Sequence, residues 1–306
     1  MPESPEVEGL ARDLSGRLSG REVAAVEVAS VSALKTWSPS IESLVGRRVE
    51  GVERRGKMVA IRTLAPQPPA KGQDPGAGPA EAGLPLWLVV HLARGGWIRF
   101  RPELPPGRPR PGKGPLALRV RLAGGGGVEV TEAGTEKHLA IWLTERPEEL
   151  TPVARLGPDP LEPGFGLEEL STALTGSTST LKGALTDQRV LAGVGNAYSD
   201  DVLHAARLSP FKVAGRLSSD ELGRLHGALV EVLEDAAARS SGLAASELKG
   251  EKRSGMRVHG RSGEPCPVCG EDVRDVWFAT SSLQYCPRCQ TGGKVLADRR
   301  LSRLLK

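Results

Sequence analysis

The chain has 306 residues, 39% of them hydrophobic and 25% charged, with a formal net charge of +4. That length accommodates one large or two to three modest domains with real cores, and the composition is ordinary for a soluble protein. No apolar run approaches the roughly 18 residues of a membrane span and no signal-peptide pattern opens the chain, which predicts a cytoplasmic protein with no membrane partner.

Residues 5–19 are predicted as a helix. Ser4 suits the N-cap, Pro5 the first helical position, and Val7, Leu10, Ala11, Leu14 and Leu18 form one apolar stripe that Gly20 ends. Taken alone, the acidic start with Glu3, Glu6 and Glu8 asks for no more than a favourable charge at a helix N-terminus. Short β-branched or aromatic runs follow, among them "LWLVVHL" (86–92), "WIRF" (97–100), "LALRVRLA" (116–123), "VEVTE" (128–132) and "LAIWL" (139–143). In 116–123 the alternation puts Leu116, Leu118, Val120 and Leu122 on one face and Arg119 and Arg121 on the other. Many short strands bounded by Gly or Pro predict a β-sandwich or barrel. Two stretches interrupt it. Residues 65–85 are Pro/Gly/Ala-rich and are expected to form a flexible surface loop; residues 101–115 are similar but basic, either solvated or brushing a phosphate backbone.

From 144 to 166 Pro and Gly recur, the pattern of an interdomain linker. Helices are predicted at 167–174, 180–188, 197–206 and 218–240, the last opened by a capping box of Ser218 and Glu221. The expected architecture is α+β and multi-domain: an N-terminal β-sandwich with an N-terminal helix (1–145), a helical domain (146–250) and a cysteine-bearing end (251–306).

Charge is uneven. From residue 249 onward 12 Lys/Arg face 6 Asp/Glu, a local excess that points to a polyanion more strongly than a uniform one, although a solvated basic tail has the same composition. All four cysteines lie there, as Cys266-x2-Cys269-x16-Cys286-x2-Cys289. Two C-x-x-C knuckles at this spacing fit a tetrathiolate zinc ribbon with one structural ion. Two disulfides do not suit a cytosolic chain, and a redox dithiol leaves the second knuckle unexplained. Four thiolates leave no open position on the metal, so it is expected to hold the fold and not to catalyse. His91, His138 and His204 read as packing or hydrogen-bonding residues.

The stretch "LKGALTDQRVLAGVGNAYSDDVLHAARLSP" (181–210), the MPESPEVE start and the two knuckles together resemble the formamidopyrimidine-DNA glycosylase/endonuclease VIII family. The resemblance runs over nearly the whole chain in one order: proline terminus, β-sandwich, helix–two-turns–helix, zinc finger. It implies a monomeric enzyme that excises a damaged base from double-stranded DNA and nicks the abasic strand by β- or β,δ-elimination. The family's start, Pro-Glu-x-Pro-Glu-x-Glu, is met at Pro2, Glu3, Pro5, Glu6 and Glu8. By resemblance Pro2 is the nucleophile once Met1 is removed, Glu3 the acid/base and Glu6 an assisting carboxylate. "RRGKMVAIR" resembles the family's strand-lysine motif, placing Lys57 on a phosphate beside the lesion. "GVGNAY" resembles the turn whose asparagine, here Asn196, grips that phosphate, with Gly193 and Gly195 letting backbone amides approach it.

The chain departs from the family pattern in three places. "HLARGGW" puts Arg94 where methionine is expected, and "TEAGTEKH" (131–138) lacks the expected Arg-Phe pair. Arg94 is then a candidate either to fill the void left by a flipped base or to bind phosphate. Ser281 stands where an arginine is usual before the third zinc cysteine, leaving Arg288 or Arg274 as substitutes. These departures leave the choice of lesion open. The alternatives are an AP lyase with little base excision and a non-catalytic, zinc-dependent DNA-binding protein.

Overall fold

The computed structural model describes residues 1–65, 84–112, 114–244, 246–278 and 281–297. The loop expected at 65–85 lies almost wholly outside the described residues, as do Lys113 and the basic run from 298. By its internal contacts the chain divides into two compact units. One holds Met1–Pro2, Val7–Ala154 and Ser241–Leu248; the other holds Glu3–Glu6, Arg155–Ser240 and the chain from Lys249. No described helix is long and apolar enough to cross a membrane.

The first unit is built on two four-stranded antiparallel sheets. β1 (Val23–Val28), β5 (Gly96–Arg101), β6 (Leu116–Leu122) and β7 (Gly127–Glu132) pair in the order β1-β6-β7-β5. β2 (Arg48–Arg55), β3 (Met58–Leu64), β4 (Leu86–His91) and β8 (Ala140–Thr144) pair in the order β2-β3-β4-β8. Alternate residues of both sheets, including Ile61, Val90, Ile98, Leu118 and Val130, enter one core with Leu10, Leu14 and Leu18 of α1 (Ser4–Leu18). This is the predicted sandwich, with the predicted apolar stripe of α1 buried in it.

One local expectation needs correction. Ser4 does not cap α1. The helix begins at Ser4 itself, whose backbone N–H goes to Gly193 O at 3.0 Å and whose Oγ has no partner among the described residues. Glu6 closes the helix start instead, accepting the Glu3 N–H at 2.9 Å. On β6, Arg119 is buried. Its guanidinium donates to Glu129 Oε1 at 2.8 Å and to Glu27 Oε2 at 3.2 Å, while Arg121 pairs with Glu27 at 2.7 Å. The alternation was right, but the cross-strand acids on β1 and β7 turn the face into an ion network beneath the 101–115 segment, whose Gly107 O also accepts from Arg119.

Short helices α2 (Thr151–Ala154), α3 (Leu167–Leu174), α4 (Leu181–Thr186) and α5 (Asn196–Ala205) lead to α6 (Ser219–Ser240). The capping box of α6 is as predicted: Glu221 takes the Ser218 N–H at 2.9 Å and Ser218 Oγ takes the Glu221 N–H at 3.3 Å. Leu170, Leu181, Leu185, Leu203, Leu225 and Leu229 form the core of the second unit. α7 (Leu248–Gly255), the hairpin β9 (Arg274–Trp277) and β10 (Ser282–Tyr285), and α8 (Pro287–Thr291) follow.

Removing one member of a buried ion network strands the others without a partner. Arg119→Met is expected to destabilise the sandwich by about 3–5 kcal/mol, read as a lower urea midpoint by tryptophan fluorescence.

Candidate active site and metal centre

The side chain of Glu3 caps α5. Its carboxylate accepts the backbone N–H of Gly195 at 2.6 Å, of Ala197 at 3.0 Å and of Tyr198 at 3.3 Å. These are the otherwise unsatisfied donors of a helix start, and the positive end of the helix complements the carboxylate charge. The glycines of "GVGN" follow from this contact. A Cβ on Gly195 would lie 2.6 Å from Glu3 Cδ, and one on Gly193, whose φ is +82°, would lie 2.5 Å from Ser4 Cβ. The amides that the sequence suggests for a phosphate are here turned on Glu3 and, for Gly193, on Gln188 Oε1 at 2.9 Å. Asn196 donates its side-chain N–H to Ser282 O in β10 at 2.9 Å.

Glu6 lies in the same cluster. Tyr198 Oη donates to Glu6 Oε1 at 2.5 Å. Lys252 Nζ donates to Glu3 Oε1 at 3.1 Å and Glu6 Oε2 at 2.8 Å, and sits 4.6 Å from the centre of the Tyr198 ring. Burial pushes the Glu6 carboxyl above its usual range; the Lys252 charge opposes that and the Glu3 charge adds to it. Burial works against the ammonium of Lys252, but the two carboxylates outweigh it and hold the group above the ordinary lysine range. Burial and then the Glu6 charge push the Tyr198 phenol up, so it remains a donor.

Pro2, Lys57 and Arg94 belong to the other unit. Pro2 is buried and Met1 is exposed. Lys57 is only 6% exposed. It follows Gly56, at φ +56°, in the tight β2–β3 turn where Arg55 pairs with Met58. Burial, with the charge of Lys57 added, lowers the His91 pKa and keeps that ring neutral. Arg94 is exposed in the β4–β5 turn beside Ala93, which has a positive φ of 50°. Arg288 is exposed on α8.

The four cysteine sulfurs lie within 4.8 Å of one another, with Cys269–Cys286 at 3.4 Å and Cys266–Cys289 at 3.9 Å. A tetrahedral ion with Zn–S bonds of about 2.3 Å sets its sulfurs about 3.8 Å apart, whereas a disulfide needs about 2.05 Å. The donor set fits one structural zinc with four cysteine ligands. One small core of the ribbon is Val258, Val273 and the cysteines themselves, and a second is Val276, Leu283 and Tyr285 of the β9–β10 hairpin. The N–H groups of Val268 and Cys289 donate to Cys266 Sγ and Cys286 Sγ. His204 of α5 sits with Nε2 3.2 Å from Cys266 Sγ, its pKa lowered to about 4 by burial and by Arg257 and Arg207. A metal-bound thiolate only accepts, so Nε2 carries the proton.

Several site residues escaped the sequence reading. Lys252 sits in the unremarkable basic run "LKGEKRSG". Lys182 donates to Asp200 Oδ1 at 2.6 Å, and the other oxygen of Asp200 meets His259 Nδ1 at 2.7 Å. Asp201 accepts the N–H groups of Arg257, Val258 and His259. The only local signal for these was an Asp-Asp pair within an apolar helix, where buried acids call for partners.

Comparison with known proteins agrees with the fold. Residues 1–141 match the family model for the formamidopyrimidine-DNA glycosylase N-terminal domain, residues 156–246 that for the formamidopyrimidine-DNA glycosylase H2TH domain, and residues 263–292 that for the zinc finger found in FPG and IleRS. A formamidopyrimidine-DNA glycosylase of Symbiobacterium thermophilum is 35% identical over 312 aligned positions, covering 98% of this chain and 93% of that protein. An uncharacterised formamidopyrimidine-DNA glycosylase-like protein of Mycobacterium tuberculosis is 59% identical over 157 residues, covering 51% of this chain and 98% of that one. Lactococcus lactis Fpg bound to DNA containing an abasic site matches with a TM-score of 0.78 at 25% identity, covering 94% of this chain and 99% of that one. The same enzyme with DNA containing an oxidised pyrimidine matches with a TM-score of 0.78 at 26% identity, covering 95% and 100%.

Gly195→Ala is expected to lower stability by about 1–3 kcal/mol through overpacking against Glu3, read as a lower calorimetric midpoint. Metal analysis should find one zinc per chain. A chelator that strips it is expected to abolish hydrogen-exchange protection at the two knuckles, residues 266–270 and 286–290, because the cysteines that form their core lose the ion that holds them together.

Proposed function

The chain belongs to the formamidopyrimidine-DNA glycosylase family of base-excision glycosylase/AP lyase enzymes, and from that premise we propose that it works on damaged double-stranded DNA through a Schiff base on Pro2. The amine of Pro2 attacks the sugar C1′ as the damaged base departs with the bonding electrons. The ring oxygen takes a proton as the sugar opens, leaving an iminium on Pro2. Loss of a C2′ proton then expels the 3′ phosphate, which is β-elimination; a further elimination expels the 5′ phosphate.

A terminal amine suits this chemistry because its reference pKa is about 7.7–8.0, against about 10.4 for lysine. While Met1 is attached the Pro2 nitrogen is an amide and no nucleophile, so removal of Met1 is a condition of activity. Glu3, one peptide bond away, is the proton carrier. The observation that carries this reading is the fixing of the Glu3 carboxylate by three backbone amides and Lys252, which holds an acid/base group at the residue next to the amine. Glu6 assists by holding the Glu3 N–H. Lys57 and Asn196 contact phosphate beside the lesion and position without reading sequence. Arg94 fills the void of the flipped base or binds phosphate, and Arg288 adds a backbone contact from the zinc finger. Residues 1–145 supply the amine, 146–250 and 251–306 the grip on DNA. The protein acts as a cytoplasmic, nucleoid-associated monomer.

The loop around Arg94 and the segment 131–138 lack the family's usual void-filling residues, which favours an AP lyase with little base excision as the second reading. A panel of single-lesion duplexes separates the two. Borohydride trapping on abasic-site DNA tests the nucleophile: Pro2→Gly is expected to lose the covalent adduct, and undiminished trapping by that variant would sink the assignment.

A further inference from the structure

We propose that Lys252 is a positioning residue of the carboxylate pair, bridging Glu3 and Glu6 so that both stay ionised in one buried site. This rests on the reading of Glu3 as the proton carrier. Glu3 and Glu6 are 3% and 2% exposed, and one ammonium lies within hydrogen-bond reach of both, at 3.1 and 2.8 Å. Two like charges this close and this dry do not coexist unaided; one takes a proton. Three other groups face the cluster. Tyr198 gives Glu6 one neutral donor and offers Lys252 the face of its ring. The backbone amides of α5 serve Glu3 alone. Arg239 of α6, which acts on Tyr198 from further off, is already matched by Asp235 and by Glu251 at 2.8 Å. Lys252 therefore decides how many protons the pair holds.

Without Lys252 a carboxyl of the pair takes up a proton at higher pH, and Glu3 is then less available to collect the C2′ proton. Rates of single-turnover nicking of abasic-site DNA, followed against pH for wild type and Lys252→Met, test this. The titration of the Pro2 amine is read separately in each protein, from the pH dependence of borohydride trapping. The ratio of wild type to variant is expected to grow as the pH falls, towards about tenfold for a one-unit shift once the carboxyl is mostly protonated in both proteins, and to close towards high pH. Lys252→Arg, which keeps the charge, should restore the wild-type profile. Zinc content and melting temperature confirm that the variants fold. A ratio that does not change with pH, or no rescue by arginine, overturns the proposal. A Pro2→Gly arm keeps the two readings apart: full trapping by that variant removes the nucleophile assignment, whereas a flat ratio removes Lys252.

Discussion

One carboxylate organises the second unit. Glu3 is the third residue of the chain, yet its hydrogen-bond donors are the amides of Gly195, Ala197 and Tyr198, and Lys252 reaches it from the far end. A helix start leaves several N–H groups unsatisfied, and a carboxylate is the partner its dipole favours. Once that contact exists, much else is constrained. Residues 193 and 195 have no room for a Cβ, and Ser4 must give its N–H to Gly193. Glu6 is drawn in beside Glu3, and a second buried acid then requires a buried cation. The helix, the glycine turn and the charge cluster are consequences of one capping interaction.

The buried charges of this protein follow a common rule. Arg119 with Glu27 and Glu129, Lys182 with Asp200, and Lys252 with Glu3 and Glu6 are each enclosed and multiply bonded. Such groups gain little net stability over apolar packing, but losing one partner is costly. What they provide is fixed geometry. In the second unit the ties converge on α5: Glu3 at its start, Lys182 and His259 on Asp200, three backbone amides on Asp201, and His204 against a zinc ligand. A mostly buried helix of ten residues thus links the carboxylate site to the zinc ribbon within one compact unit.

The sequence disclosed features whose cause is local. Alternation in 116–123, the stripe of α1, the Ser218/Glu221 box and the knuckle spacing each depend on residues a few positions apart, and the structure has them. The zinc centre was legible because the metal's geometry imposes its own spacing. Ser4 was misjudged, and the ion pairs of Arg119 went unread, for the opposite reason. Their partners, Gly193, Glu27 and Glu129, are set by tertiary contact, and periodicity carries no record of that. Lys252 was invisible for the same cause: 249 positions separate it from Glu3, and nothing in "LKGEKRSG" marks one lysine among the others. Pro2 and Glu3 stood out only through their resemblance to a family's start, since statistics alone assign that segment to an acidic helix cap.

The reach of the Glu3 contact also has a meaning in time. The donor at Gly195 lies 192 positions after its acceptor. At a synthesis rate of about 5–20 residues per second, Glu3 has left the ribosome's active centre roughly 10–40 s before its partner is made. The apolar stripe of α1 and the strands of the sandwich are all encoded earlier than α5, so the two sheets have their strands in hand while the first turn of α1 still lacks its partners. The end of the chain that is born first is among the last to reach its native surroundings.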